Sequence, residues 1–108
     1  MIGHSLGGHA VGFAAKLLKN PKVHRVTGLD PSGMYFFKSV TINSELIYEG
    51  PGINLRKDAM HLHYTDATIV DVFHTDIGMG FSESLGTETK LGYYDFYPNG
   101  GLKITFVF

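Results

Sequence analysis

The sequence contains no cysteine, so disulfides and thiolate chemistry are excluded. No apolar run approaches the roughly 20 residues that a membrane-spanning helix needs. Basic clusters are also missing: nine Lys and Arg stand against ten Asp and Glu, and the formal charge is −1. That balance argues against a nucleic-acid surface. No internal repeat, low-complexity tract or signal peptide is visible. The Gly-x-x-x-x-Gly-Lys spacing of a phosphate loop does not occur. What remains is a chain of 108 residues, 44% hydrophobic, an ordinary composition for one small globular domain.

The most informative stretch comes first. Gly3-His4-Ser5-Leu6-Gly7 has the Gly-x-Ser-x-Gly spacing of a nucleophile elbow. In such an elbow a strand ends, the chain reverses sharply, and a helix begins at once. Glycines at Gly3 and Gly7 let strand and helix approach closely. Ser5 then presents its hydroxyl at the helix start, and the backbone N–H of Leu6 points where an oxyanion forms. The helix dipole adds positive potential at the same end. By itself the spacing is weak, because a small-residue turn without chemistry has the same composition. The following residues strengthen it. Leu6, Ala10, Phe13, Ala14, Leu17 and Leu18 recur at helical spacing, Lys16 and Lys19 suit the helix C-terminus, and Asn20-Pro21 stops it.

Val23 to Leu29 reads as a strand closed by the turn residues Asp30-Pro31-Ser32-Gly33. Strand, helix and strand make a βαβ unit with parallel strands. Functional groups gather beyond the carboxyl ends of such strands, where Ser5 and Asp30 both fall. A turn before proline explains Asp30 by residue type alone; its place beside Ser5 favours the acid of a Ser–Asp–His triad. Thr68 to Phe73 and Leu91 to Tyr97 read as further strands, the second closed by Pro98-Asn99-Gly100-Gly101. Ile77 to Lys90 reads as a glycine- and serine-rich loop without a sharp motif.

Blocks at Gly3–His9, Val26–Gly33, Val70–Asp76 and Asp95–Gly101, in that order, resemble those of the animal pancreatic-type lipase family. This family includes triacylglycerol lipases, lipoprotein-type lipases and phospholipases A1. The resemblance implies a partial α/β-hydrolase fold of class α/β, beginning at the elbow. It implies that Ser5 is the nucleophile, Asp30 orients the catalytic histidine, and the Leu6 N–H is one oxyanion donor. The substrate class implied is a lipid ester met at a lipid–water interface, with no cofactor and a secreted, extracellular location.

Residues 1–108 read as a fragment of a single catalytic domain, with 34–63 as an atypical insertion or loop. Its apolar stretch, Tyr35-Phe36-Phe37 to Leu46-Ile47-Tyr48, leaves three readings: an extra hairpin, a lipid-facing flap, or translated non-coding sequence. The family's calcium loop has the pattern Arg-Leu-Asp-Pro-Ser-Asp-Ala, against His61-Leu62-His63-Tyr64-Thr65-Asp66-Ala67 here. Asp66 matches the second acid and His63 replaces the first, so the metal stays open. His61 and His63 could instead suggest a transition metal, on weak spacing. His74 follows Asp30 in triad order, but in the resembling family the base lies beyond the Pro-Asn-Gly-Gly block. His74 is therefore expected to be a hydrogen-bonded packing residue. His9 and His24 have no partner in the sequence pattern. With a nucleophile, an acid and one oxyanion donor but no assigned base, the chain alone is expected to be inactive. The alternative is a non-catalytic, lipase-like lipid-binding protein.

Overall fold

The computed structural model describes residues 1–33, 39–42, 45–49, 61–77 and 85–103. The elbow strand β1 (Ile2–His4) runs into helix α1 (Leu6–Leu17), and strand β2 (Arg25–Leu29) follows. A hairpin of β3 (Ser39–Ile42) and β4 (Glu45–Glu49) comes next, then β5 (Ile69–Phe73), β6 (Tyr94–Phe96) and a short 3-10 turn at Pro98–Gly101. The strands β1, β2, β5 and β6 form one sheet in that order, with every neighbour parallel. This is the expected βαβ start of a partial α/β-hydrolase fold. β3 and β4 pair antiparallel, with Val40 opposite Tyr48. The aromatic run at 35–37, the turn at 50–52, residues 78–84 and the tail from 104 lie outside the described residues.

β5 is rich in β-branched residues because it has a strand on each side. Val70, Asp71 and Val72 are all buried there. Val26, Leu62, Ala15, Ala67 and Leu91 complete the core, with Val11 and Val23 packed against it. The buried carboxylate of Asp71 is answered from β2, where Arg25 donates to it at 2.6 Å and the Thr27 hydroxyl at 2.7 Å. Burial pushes the Asp71 pKa up; the Arg25 and Thr27 hydrogen bonds and the Arg25 charge outweigh this and hold it below its usual value.

The strands β2, β5 and β6 are each shorter than expected, β5 by the single residue Thr68. β2 starts at Arg25, although His24 still accepts the Ile69 N–H at 2.9 Å. β6 starts at Tyr94 because the N–H groups of Leu91 and Gly92 bond to the Asp95 carboxylate at 3.0 and 3.1 Å instead of a neighbouring strand.

The helix departs from expectation in the face it buries. Phe13 and Leu17, members of the apolar stripe, are 50% and 69% exposed. The face that packs is Gly8, His9, Gly12 and Ala15. Small residues there allow α1 to lie close to Pro31 and Leu62. The elbow itself is tighter still. A Cβ on Gly3 would stand 2.0 Å from the Gly7 carbonyl oxygen. Gly7 needs no such freedom, because a Cβ there would meet nothing; its share in the close approach is its backbone.

Leu62 is fully buried and touches the positions of both Gly12 and Gly28. Leu62→Ala is expected to lower unfolding free energy by about 2–5 kcal/mol, read from urea denaturation followed by circular dichroism.

Candidate active site

The parallel register lines up the ends of the strands. His4 pairs with Leu29, Leu29 with Phe73, and Phe73 with Phe96. The next residue on each strand donates its N–H to the neighbour's last carbonyl. Ser5 bonds to Leu29 at 3.0 Å, Asp30 to Phe73 at 2.7 Å, and His74 to Phe96 at 2.8 Å. Ser5, Asp30, His74 and Tyr97 therefore form a row along the carboxyl edge of the sheet. Parallel strands lie about 4.8 Å apart, which sets the spacing of the row.

Ser5 occupies the N-cap position of α1, with φ 55 and ψ −123. Serine normally caps a helix by accepting an N–H of the first turn. Here the hydroxyl makes no cap bond, because the strained backbone turns it away. Among the described residues nothing else bonds to it. The Leu6 N–H, first in the helix, is an orphan donor at the same end, and no described group accepts it.

Asp30 is the second residue at the edge with positive φ, 46. Its Oδ1 accepts the backbone N–H groups of Thr75 at 3.1 Å and Asp76 at 3.0 Å. No described group bonds to Oδ2. Gly86 closes the cradle. A Cβ there would stand 2.6 Å from Asp30 Oδ1, and the Gly86 N–H bonds to the Asp76 carbonyl at 3.2 Å. The backbone on either side pairs with 31–33: Gly33 donates to Leu85 and Thr87 to Pro31. This cradle has no signature in the sequence, because backbone donors on an unremarkable loop leave no side-chain pattern.

All six histidines of the chain lie among the described residues, and none bonds to Ser5 or Asp30. His74 is fully buried with both ring nitrogens engaged. Nδ1 donates to the Thr87 carbonyl at 2.7 Å and Nε2 meets Asp95 Oδ1 at 2.8 Å. Tyr97 stacks on its ring at 4.4 Å. It is a hydrogen-bonded packing residue, as expected.

His9 has partners that the sequence pattern did not reveal. Nε2 donates to the Ser32 carbonyl at 2.8 Å, and Nδ1 accepts the Leu62 N–H at 3.0 Å. One bond secures the loop after Asp30; the other secures the segment at 61–67. This pairing requires the neutral ring. Burial lowers the His9 pKa from 6.5 to about 4, more than the bond to Ser32 raises it.

His61 and His63 each turn one ring nitrogen to a neighbour in the chain. Their rings stand 6.2 Å apart, with one Nδ1 on the Leu62 carbonyl and the other at the Thr65 hydroxyl. Among the described residues no group of three or more His, Asp or Glu forms a metal cluster.

A family model described as Lipase matches residues 1–47 and 48–105. The chain is 44% identical over 102 residues to lipase member H-A of Xenopus laevis, covering 94% of this chain and 17% of that protein. It is 40% identical over 101 residues to lipoprotein lipase of Gallus gallus, with 94% and 17% covered. It is 40% identical over 106 residues to pancreatic lipase-related protein 2 of Cavia porcellus, with 94% and 19% covered. The chain thus spans less than a fifth of the length of these relatives.

Because folded His9 stays neutral down to about pH 4, only the unfolded chain takes up its proton between pH 6.5 and that value. Its contribution is complete above pH 6.5 and declines as the pH falls. Urea midpoints across this range are expected to drop with acid, with a shallower slope in His9→Gln.

Proposed function

The chain belongs to the Lipase family, and from that premise we propose that it carries the nucleophile and the acid of a carboxylic ester hydrolase acting on lipid esters. The observation that carries the reading is Ser5: a serine at an N-cap that does not cap, strained at φ 55 and placed one strand from Asp30. Strain of this kind is stored at functional sites. The relatives named for lipase activity support a lipid ester as substrate, of triacylglycerol lipase or phospholipase A1 type, met at a lipid–water interface. A secreted, extracellular setting belongs to the same reading. No cofactor enters the chemistry.

In the proposed reaction, Ser5 Oγ attacks the ester carbonyl while a histidine takes its proton. The carbonyl electron pair moves onto oxygen, and the Leu6 N–H helps to hold this oxyanion. The intermediate collapses, the alkoxide leaves with the proton from histidine, and an acyl group stays on Ser5. Water, activated by the same histidine, releases the fatty acid. Asp30 keeps the histidine in the right tautomer through Oδ2, while its other oxygen stays on Thr75 and Asp76. We assign the histidine and the second oxyanion donor to protein outside residues 1–108, because no histidine of this chain hydrogen-bonds to Ser5 or Asp30. The 108-residue chain alone is then inactive.

The test is a chimera in which this chain replaces the matching segment of pancreatic lipase-related protein 2. The chimera is expected to take one fluorophosphonate on Ser5, read by intact mass, and to hydrolyse a lipid ester. Ser5→Ala abolishes the label, and Asp30→Asn slows hydrolysis by about 10³- to 10⁴-fold. A folded chimera with no label on Ser5 overturns the reading. If it still binds lipid vesicles, the chain is a non-catalytic lipid-binding relative.

A further inference from the structure

Away from the row of Ser5 and Asp30, one buried carboxylate stands at the far end of α1. Asp66 has a side chain 1% exposed and is met by Lys16, from the last turn of the helix, at 2.7 Å. The same ammonium donates to the His61 carbonyl, also at 2.7 Å. Asp66 Oδ2 further accepts the His63 N–H at 2.8 Å, and the Asp66 N–H returns to the His63 carbonyl at 3.0 Å. A carbonyl oxygen and a carboxylate oxygen therefore converge on one cation within a single turn of chain.

This segment is where the family pattern expects calcium. Calcium takes six to eight oxygens at roughly 2.3–2.6 Å. The residues present do not fit that ion. Lys16 Nζ lies between two of the oxygens that would bind it. His63 supplies a ring where an acid is expected, and its Nδ1 lies 2.8 Å from the Thr65 hydroxyl, beside Tyr64. The carboxylate packs against bare backbone of the helix, since a Cβ on Gly12 would stand 2.8 Å from Asp66 Oδ2.

We propose that the Lys16 ammonium is a built-in cation in the oxygen cage of residues 61–66, so that this loop is held without a divalent ion. A tethered charge loses no translational freedom on binding and is present at any calcium concentration. The loop in turn presents the Leu62 side chain to the core and the Leu62 N–H to His9. The inference is independent of the hydrolase reading, as neither Ser5 nor Asp30 enters it.

Calcium-45 equilibrium dialysis and thermal unfolding, in chelator and in about 5 mM calcium, test it on the 108-residue chain; this exceeds weak extracellular affinities. The unaltered chain is expected to bind no calcium and to unfold at the same temperature in both. His63→Asp supplies the expected acid and still binds none, because the ammonium keeps its place. Lys16→Met combined with His63→Asp binds one ion per chain, and calcium raises its unfolding temperature or restores its fold. Calcium bound by the unaltered chain overturns the proposal, as does equal binding by His63→Asp and the double variant. A double variant that binds no calcium, folded or not, also overturns it. Lys16→Arg keeps the calcium independence and most of the stability, which separates the cation's role from the fit of the lysine stem.

Discussion

The structure depends on how closely strand β1 and helix α1 are brought together. A side chain on Gly3 would fall inside the Gly7 carbonyl group, so only bare backbone satisfies the approach. That contact accompanies a reversal at Ser5 with positive φ, 55, a backbone conformation that L side chains rarely adopt. The reversal in turn frees the serine hydroxyl from its usual capping bond and aims the first helical N–H groups past the sheet edge. It also determines which face of α1 lies inward. The helix is too close for large residues, so Gly8, Gly12 and Ala15 make the contact and leucine and phenylalanine look out.

Small residues bury little apolar area, and polar ties strengthen the assembly. His9 joins the helix to two loops. Lys16 and Asp66 join its other end to one of the same loops. Arg25 and Thr27 on β2 meet Asp71 on β5, and His74, at the end of β5, meets Asp95 on β6. Each tie spans at least 21 residues of sequence and closes a buried polar group that would otherwise be costly. Among the described residues no buried side-chain polar atom lacks a partner. Such ties fix position better than they add stability, since desolvation offsets much of their attraction.

The elements that the sequence revealed are those written in side-chain type. Glycine spacing around Ser5, helical periodicity to Leu17, and β-branched runs at β2 and β5 marked the βαβ unit and both residues at its edge. The cradle of Asp30 was invisible because it is made of the Thr75 and Asp76 N–H groups and the bare Gly86, and a backbone donor carries no residue label. The inward face of the helix was hidden for a related reason. Periodicity finds the most apolar stripe, whereas the distance between helix and sheet selects the smallest one. His9 gave no signal because its partners are carbonyl and amide groups 23 and 53 residues away.

One consequence of the strand-end row concerns insulation. Asp30 has a histidine as its next neighbour along the row, yet the acid and that ring do not meet. Asp95 and the Thr87 carbonyl hold both nitrogens of His74, and Tyr97 covers its face. In the proposed reaction these groups keep a second proton carrier out of the relay assigned to Asp30. Asp95 is in this sense a guard on the specificity of Asp30, although it touches neither that carboxylate nor Ser5. In that reaction an acid three strands from Ser5 thus decides which histidine Asp30 is left to serve.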